Sequence, residues 1–390
     1  MLNDKTFCIL PFVGASVRTN GDITLCCHSQ ETVEHNIKTS TINQWWQSDF
    51  VHDVRQRMLA GETLDICQKC YTDEANNFSS LRTERNSEYK IVQIKHADKL
   101  IKHLGYDQLD EPVDVEIQLT NLCNLKCIMC NETESSAILT ENRQLNIAIH
   151  NQLEYEWTEQ AIEHVKRLFV TDSNKLINLR GGEPLVVPQI REILASAGAS
   201  AQHISLHITT NATRFDAEWF DVLNQFKEVR IMVSVDAVGA LGEYIRYGSK
   251  WDTVQKNIQA MRQLKNVNLV ANVTVQNLNL LGLADLTKWS QECKIHLLFK
   301  FLTDPEFLAI DVLPAELIDL AKFRLEVVKQ TANLKLVPDL EGLISRLSDM
   351  PSAYYSQRWH DFVANLHMRE KIRQNSVLTV IPELKNYINA

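Results

Sequence analysis

The 390-residue chain has no apolar run approaching the roughly 20 residues that a membrane helix needs. Its most apolar N-terminal stretch, residues 7–17, is interrupted by Pro11 and preceded by one basic residue, Lys5, which Asp4 offsets; this argues against a signal peptide. A basic excess is also missing. With 40 Lys and Arg against 49 Asp and Glu, the net charge is -9, so no broad positive field exists to condense on nucleic-acid phosphates or anionic lipid. No internal repeat or low-complexity segment occurs, which excludes a repeat array. These absences predict a cytoplasmic protein with neither nucleic acid nor membrane as partner.

What is present is ordinary globular content, 45% hydrophobic, in a chain long enough for roughly two to three domains. Nine cysteines stand at positions 8, 26, 27, 67, 70, 123, 127, 130 and 293, an odd number with all but Cys293 crowded into the first third. In a reducing compartment such crowding favours metal ligation over disulfides.

Residues 1–85 form a cysteine-rich segment. It opens with a hairpin signal: apolar residues 12–17, a turn at Asn20-Gly21, then residues 23–26. A helix is expected over 42–59, with Trp45, Trp46, Phe50, Val54 and Met58 at helical spacing and Gly61 as its stop. From about 110 to 305 the pattern changes to β-rich runs at 115–120, 176–180, 205–210, 229–235, 269–275 and 295–302. Amphipathic helical stretches lie between them, at 154–169, 188–197, 217–226, 251–264 and 283–293. Strands alternating with helices predict an α/β fold with a parallel sheet and right-handed crossovers, and six strands suggest a partial (β/α)6 TIM-type barrel. The expected organisation is therefore a small N-terminal α+β module at 1–85, the barrel at 110–305 and a helical extension at 306–390.

The strongest chemical signal is Cys123-Asn-Leu-Lys-Cys127-Ile-Met-Cys130, directly after the first barrel strand. A cubane [4Fe-4S] cluster takes four ligands, so three thiolates in one short loop leave one iron open. An open iron can chelate the amino and carboxylate groups of a methionine. Zinc fits less well, since its tetrahedral shell wants a fourth ligand and none stands nearby at finger spacing. Loops at the carboxyl ends of barrel strands are also where barrel enzymes place their chemistry.

This CxxxCxxC loop resembles the signature of the radical S-adenosylmethionine (SAM) superfamily. Met129 stands where that family usually has an aromatic residue, so any adenine contact there would use backbone atoms and the thioether. The resemblance implies SAM contacts at later strand ends. Gly181-Gly182-Glu183 looks like the family's Gly-Gly-Glu segment, in which glycines admit a close approach and the carboxylate takes hydrogen bonds from the SAM ammonium. Asn211, Ser234 and Asp236 resemble contacts to the ribose or methionine part, and Arg246 resembles the arginine that pairs with the methionine carboxylate. Val275 and Gln276 are candidates for the adenine side.

A second constellation, Cys8, Gly21 with Cys26, then Cys67-Gln-Lys-Cys70, resembles the first part of the SPASM motif, or its single-cluster Twitch version. Asn76 stands where the next cysteine of the full motif would fall, so one auxiliary [4Fe-4S] cluster is implied, with Cys8, Cys26, Cys67 and Cys70 as ligands. Cys27 could replace Cys26. Two separated cysteine pairs also satisfy a structural zinc site.

The resemblance implies an oxidoreductase. An external one-electron donor, flavodoxin- or ferredoxin-like, would reduce the first cluster, and SAM would break to methionine and a 5′-deoxyadenosyl radical that takes a hydrogen atom from a peptide or small-molecule substrate. An auxiliary cluster saturated by four cysteines would relay electrons, making the outcome a net oxidation or a cross-link. An epimerase, or an iron-sulfur or zinc protein that only carries electrons or binds a partner, are the alternatives. Cys293 precedes the sixth strand and reads as a core cysteine. Asn277, Asn279, Lys300, Thr303 and Asp304 are substrate-pocket candidates.

Overall fold

The computed structural model describes residues 5–31, 33–75, 79–89, 110–149, 158–348, 350–354 and 356–388. Asn76 and residues 154–157 of the expected helix 154–169 lie outside the described residues. Among those described, no helix is long and apolar enough to cross a membrane.

The fold is α/β. Eight strands form a sheet in the order β2-β1-β3-β4-β5-β6-β7-β8. The first two are β1 (Gly14–Val17) and β2 (Ile23–Thr24); the rest are β3 (Asp114–Gln118), β4 (Lys175–Arg180), β5 (Ile204–Thr210), β6 (Glu228–Ser234), β7 (Val267–Val275) and β8 (His296–Phe301). The six strands β3 to β8 alternate with helices and are the partial (β/α)6 barrel expected from the sequence. By contact density the chain divides into two compact units, 1–121 with 153–208 and 221–229, and 122–152 with 209–220 and 230–390.

In the first unit β1 pairs antiparallel with β2 through Ser16 to Thr24 and Val17 to Ile23, with Gly21 at φ +89° in the turn. Two details of the hairpin differ from expectation. Residues Leu10–Val13 form a helical turn, because Pro11 suits the first positions of a helix, and the second strand is only Ile23–Thr24. The more consequential difference is that β1 also pairs parallel with β3, Gly14 opposite Asp114 through Val17 opposite Ile117. The cysteine-rich segment thus contributes two strands to the barrel's own sheet. β3, β4 and β5 continue in parallel register. Their alternate residues Val115, Ile117, Ile177, Leu179, Leu206 and Ile208 are fully buried, as a strand covered on one face by helices requires.

The helix expected over 42–59 is two helices, Ile42–Trp46 and Asp49–Ala60. Ser48 interrupts it by capping the second, its side chain accepting from the Val51 N–H. Gly61 stops the second in the left-handed conformation, as its position predicted. Trp45 and Trp46 are buried, and the Arg55 guanidinium lies 3.9 Å from the Trp46 ring.

In the second unit β7 and β8 pair in parallel. Two helices escaped the sequence reading: Ser136–Gln144, capped by Ser135, and Gly239–Ile245. The C-terminal region is helical, chiefly Ala315–Lys329, Val337–Ser348 and Gln357–Arg373.

Candidate active site and auxiliary cluster site

The three-cysteine loop lies in the second unit and is fixed along its length by neighbours in that unit. Backbone bonds run from Lys126 N–H to Tyr247 O and from Ile128 N–H to Ile245 O, both 2.9 Å. Ser135 serves twice, donating to Leu125 O at 2.9 Å while capping the helix Ser136–Gln144. Gly248, at φ +102°, lets the chain pass close to the loop; a Cβ there would stand 3.3 Å from Asn124 O. The side chains of Asn211 and Thr213 hold Asn124, at 3.1 and 2.9 Å. None of the nine cysteines, all described, forms a disulfide.

Arg246 is the charged neighbour of these thiols, with Nη1 3.8 Å from Cys127 Sγ. Its Nε forms a 2.8 Å ion pair with the buried carboxylate of Asp236, whose other oxygen accepts from the Thr274 N–H at 2.8 Å. Asp236 is thereby committed to positioning Arg246. Burial disfavours the guanidinium charge, yet Asp236 together with the Cys127 and Cys130 thiols outweighs it and the Arg246 pKa rises. Burial pushes the Cys127 and Cys130 thiols up, Arg246 opposing it at Cys127.

At the end of β7, Val275 is fully buried, and so is Gln276. Neither Nε2 nor Oε1 of Gln276 has a hydrogen-bond partner among the described residues. A buried amide with both ends unsatisfied is costly unless something outside the chain meets it. Asn279, a substrate-pocket candidate, is instead consumed in its own loop: its Nδ2 donates to Asp236 O and Thr274 O and its Oδ1 accepts from Gln276 N–H. Met129 and Ser234 are partly exposed.

In the first unit, Gly181 at φ +81° and Gly182 at φ +49° follow β4. A Cβ on Gly181 would stand 3.0 Å from Gln118 Cβ and 3.2 Å from Thr120 O, so this approach needs glycine. Glu183 is buried and caps the short turn Pro184–Val186 by accepting from the Leu185 N–H at 3.1 Å.

The same unit holds the auxiliary cysteines. Cys8, Cys26, Cys67 and Cys70 line one pocket together with His28 and Arg82. Burial and the proximity of the other thiols raise Cys8 to about 12 and Cys67 to about 11. Cys27 is turned elsewhere: its Sγ lies 4.0 Å from Arg180 Nη1, which pairs with Glu116 at 3.1 Å. Among the described residues no three His, Cys, Asp or Glu side chains converge tightly enough to hold a single metal ion. Four thiols spread around a pocket suit a cubane, in which each iron takes one thiolate, better than zinc, around which all sulfurs gather at about 2.3 Å.

Thiol-lined sites on a strand-helix barrel define an iron-sulfur protein of the α/β class. Residues 117–283 match the radical SAM superfamily, and residues 8–71 match the SPASM iron-sulfur cluster-binding domain. Together these domains imply [4Fe-4S] clusters and SAM as cofactors. The chain is 25% identical over 187 residues to GTP 3′,8-cyclase of Listeria welshimeri, covering 47% of this chain and 52% of that one. It is 26% identical over 152 residues to mycofactocin maturase MftC of Mycobacterium tuberculosis, covering 39% and 34%. The match thus spans about half or less of these relatives' length. Among solved structures, native anSMEcpe with bound AdoMet aligns with TM-score 0.40 at 17% identity, over 54% of this chain and 60% of that one. Streptococcus suis SuiB bound to precursor peptide SuiA aligns with TM-score 0.38 at 18% identity, over 75% and 61%.

Proposed function

We propose that this chain cleaves SAM reductively at a [4Fe-4S] cluster held by Cys123, Cys127 and Cys130, and uses the resulting radical to oxidise a bound substrate by two electrons. The observation that carries this reading is the braced three-thiol loop with Arg246 beside Cys127. When bound, the cofactors would supply a 5′-deoxyadenosyl radical for hydrogen-atom abstraction from a substrate carbon and, at the auxiliary site, an acceptor for the second electron, the proton going to solvent.

The chain's own residues bind and orient. Arg246, held by Asp236, takes the methionine carboxylate; Gly181 and Gly182 admit SAM closely, and Glu183 accepts from its ammonium. Asn211 and Ser234 serve the ribose and methionine part. Adenine, which offers both donors and acceptors, suits the unsatisfied amide of Gln276, with Met129 and the backbone at Val275 beside it. Cys8, Cys26, Cys67 and Cys70 hold the auxiliary cluster and leave it no open iron, which suits electron relay. The electron donor is a flavodoxin- or ferredoxin-like protein of a reducing cytoplasm. The substrate is a peptide or a small molecule; the named relatives act on GTP and mature mycofactocin.

Anaerobic purification with iron and sulfide counting, followed by incubation with dithionite and SAM, tests this. About eight irons per chain and 5′-deoxyadenosine formation are expected, falling to about four irons and none of the nucleoside when Cys123, Cys127 and Cys130 are all changed to Ala. Deoxyadenosine absent from protein with full iron would sink the reading.

A further inference from the structure

The helix Leu81–Glu88 lies beyond the last motif cysteine and outside the matched SPASM stretch, yet it reaches the auxiliary pocket. Its Arg82 is 4% exposed and lines that pocket with the four thiols. The guanidinium donates to Phe7 O at 2.8 Å, next to Cys8, and its Nε donates to Glu74 Oε1 at 2.9 Å, with a second bond from Nη2 to Glu74 Oε2. Glu74 sits on Gln68–Ala75, the helix that also carries Cys70. Asn86, one turn on, clasps the same segment from both sides, accepting from Ile9 N–H and donating to Phe7 O. The Arg82 backbone N–H also bonds Cys70.

The geometry points to Arg82 as the residue that sets the reduction potential of the auxiliary cluster, with Glu74 as its counterweight; this rests on the ligand assignment proposed above. Each electron added to a thiolate-ligated cubane makes it more negative, and net charge near the cluster is one of the protein's main levers on potential. A buried cation lining the pocket of the four thiolates therefore favours the reduced form, and the partial neutralisation by Glu74 moderates it. Arg82 is a positioning residue for the oxidation: it makes the auxiliary cluster a better acceptor for the substrate's second electron.

The test uses the full chain carrying Cys123→Ala, Cys127→Ala and Cys130→Ala, so that only the auxiliary cluster remains, in a dithionite titration followed by electron paramagnetic resonance. With iron unchanged, Arg82→Gln is expected to lower the reduced-to-oxidised ratio at fixed poise about tenfold, about 59 mV for a one-electron couple. Arg82→Lys stays near the parent, and Glu74→Gln shifts the opposite way. Equal shifts in Arg82→Gln and Arg82→Lys, or none in either, overturn the inference. Should Arg82→Gln lose its iron, Glu74→Gln decides, and no upward shift there overturns it. Adding Cys67→Ser and Cys70→Ser separately checks the ligands: iron that survives both defeats the ligand assignment, whatever Arg82 does.

Discussion

Arg373 donates from Nη2 to the backbone carbonyl of Lys126 at 2.8 Å, so the last long helix of the chain ends on the loop between Cys123 and Cys127. The same guanidinium lies 4.9 Å from the Tyr247 ring, and the Tyr247 hydroxyl donates back to Arg373 O at 3.2 Å. Glu141, fully buried, holds Arg373 with 2.9 and 2.7 Å bonds and also binds Arg369. A helix with no motif of its own therefore fixes the three-cysteine loop.

Removing that support should loosen the cluster before it unfolds the chain. Arg373→Ala leaves Glu141 with Arg369 alone in a buried site, a cost of about 1–3 kcal/mol, less than the roughly 3–5 of a charge left with no partner. The expected outcome is a lower melting temperature and a fall from about eight irons to about four, the auxiliary set being retained. Iron counting with thermal melts decides it; full iron in the variant would show that the brace is dispensable.

The brace also predicts an acid limb in stability. Burial raises the Glu141 carboxyl, but Arg373 and Arg369 outweigh it and the pKa is lowered. A carboxylate depressed in the folded state contributes stability above its unfolded pKa of about 4.3, and that contribution is lost as pH falls through the folded value. Urea midpoints from pH 6 down to 3 should decline, and Glu141→Gln should be less stable at pH 6 with a flatter decline below 4.

Changing Arg246→Lys keeps the charge but loses the planar fork that Asp236 orients. The Michaelis constant for SAM should rise about tenfold or more, with a smaller effect on turnover at saturation. An unchanged constant would remove Arg246 from the binding site.

Gly181→Ala puts a methyl 3.0 Å from Gln118 Cβ at a backbone angle of +81°. Destabilisation of about 1–2 kcal/mol is expected, together with weaker SAM binding. Denaturant midpoints and equilibrium dialysis with SAM report the two effects separately.

Adjacent cysteines should separate cleanly by role. Cys26 lines the auxiliary pocket and Cys27 faces Arg180, so Cys26→Ser should lose about four irons and Cys27→Ser none. Equal loss from both would mean the two exchange.

Much of this was legible in the sequence. The six barrel strands announced themselves because apolar residues fall on alternate positions, as in Val115 and Ile117, and the cysteines because their spacing is chemical. The pairing of β1 with β3 was not legible, since residues 14–17 meet 114–117 through backbone groups that any sequence supplies. Nor was the break at Ser48, where a cap won over an apolar period that continues across it. Glu141, Arg369 and Arg373 carry no local pattern; only the fold brings together residues more than two hundred positions apart. Gln276 was legible as a strand-end residue, while its unsatisfied amide required the structure.

The pairing of β1 with β3 also bears on what can be cut away. A polypeptide starting at residue 110 would bare the flank of β3 that β1 covers over residues 114–117, leaving the alternate N–H and C=O groups on that side unmatched beside the apolar side chains of Val115 and Ile117. Such an edge invites another chain to dock along it. The cysteine-rich segment is therefore also a guard against self-association, and a barrel expressed without it should precipitate or stack edge to edge rather than survive as a simpler, single-cluster relative.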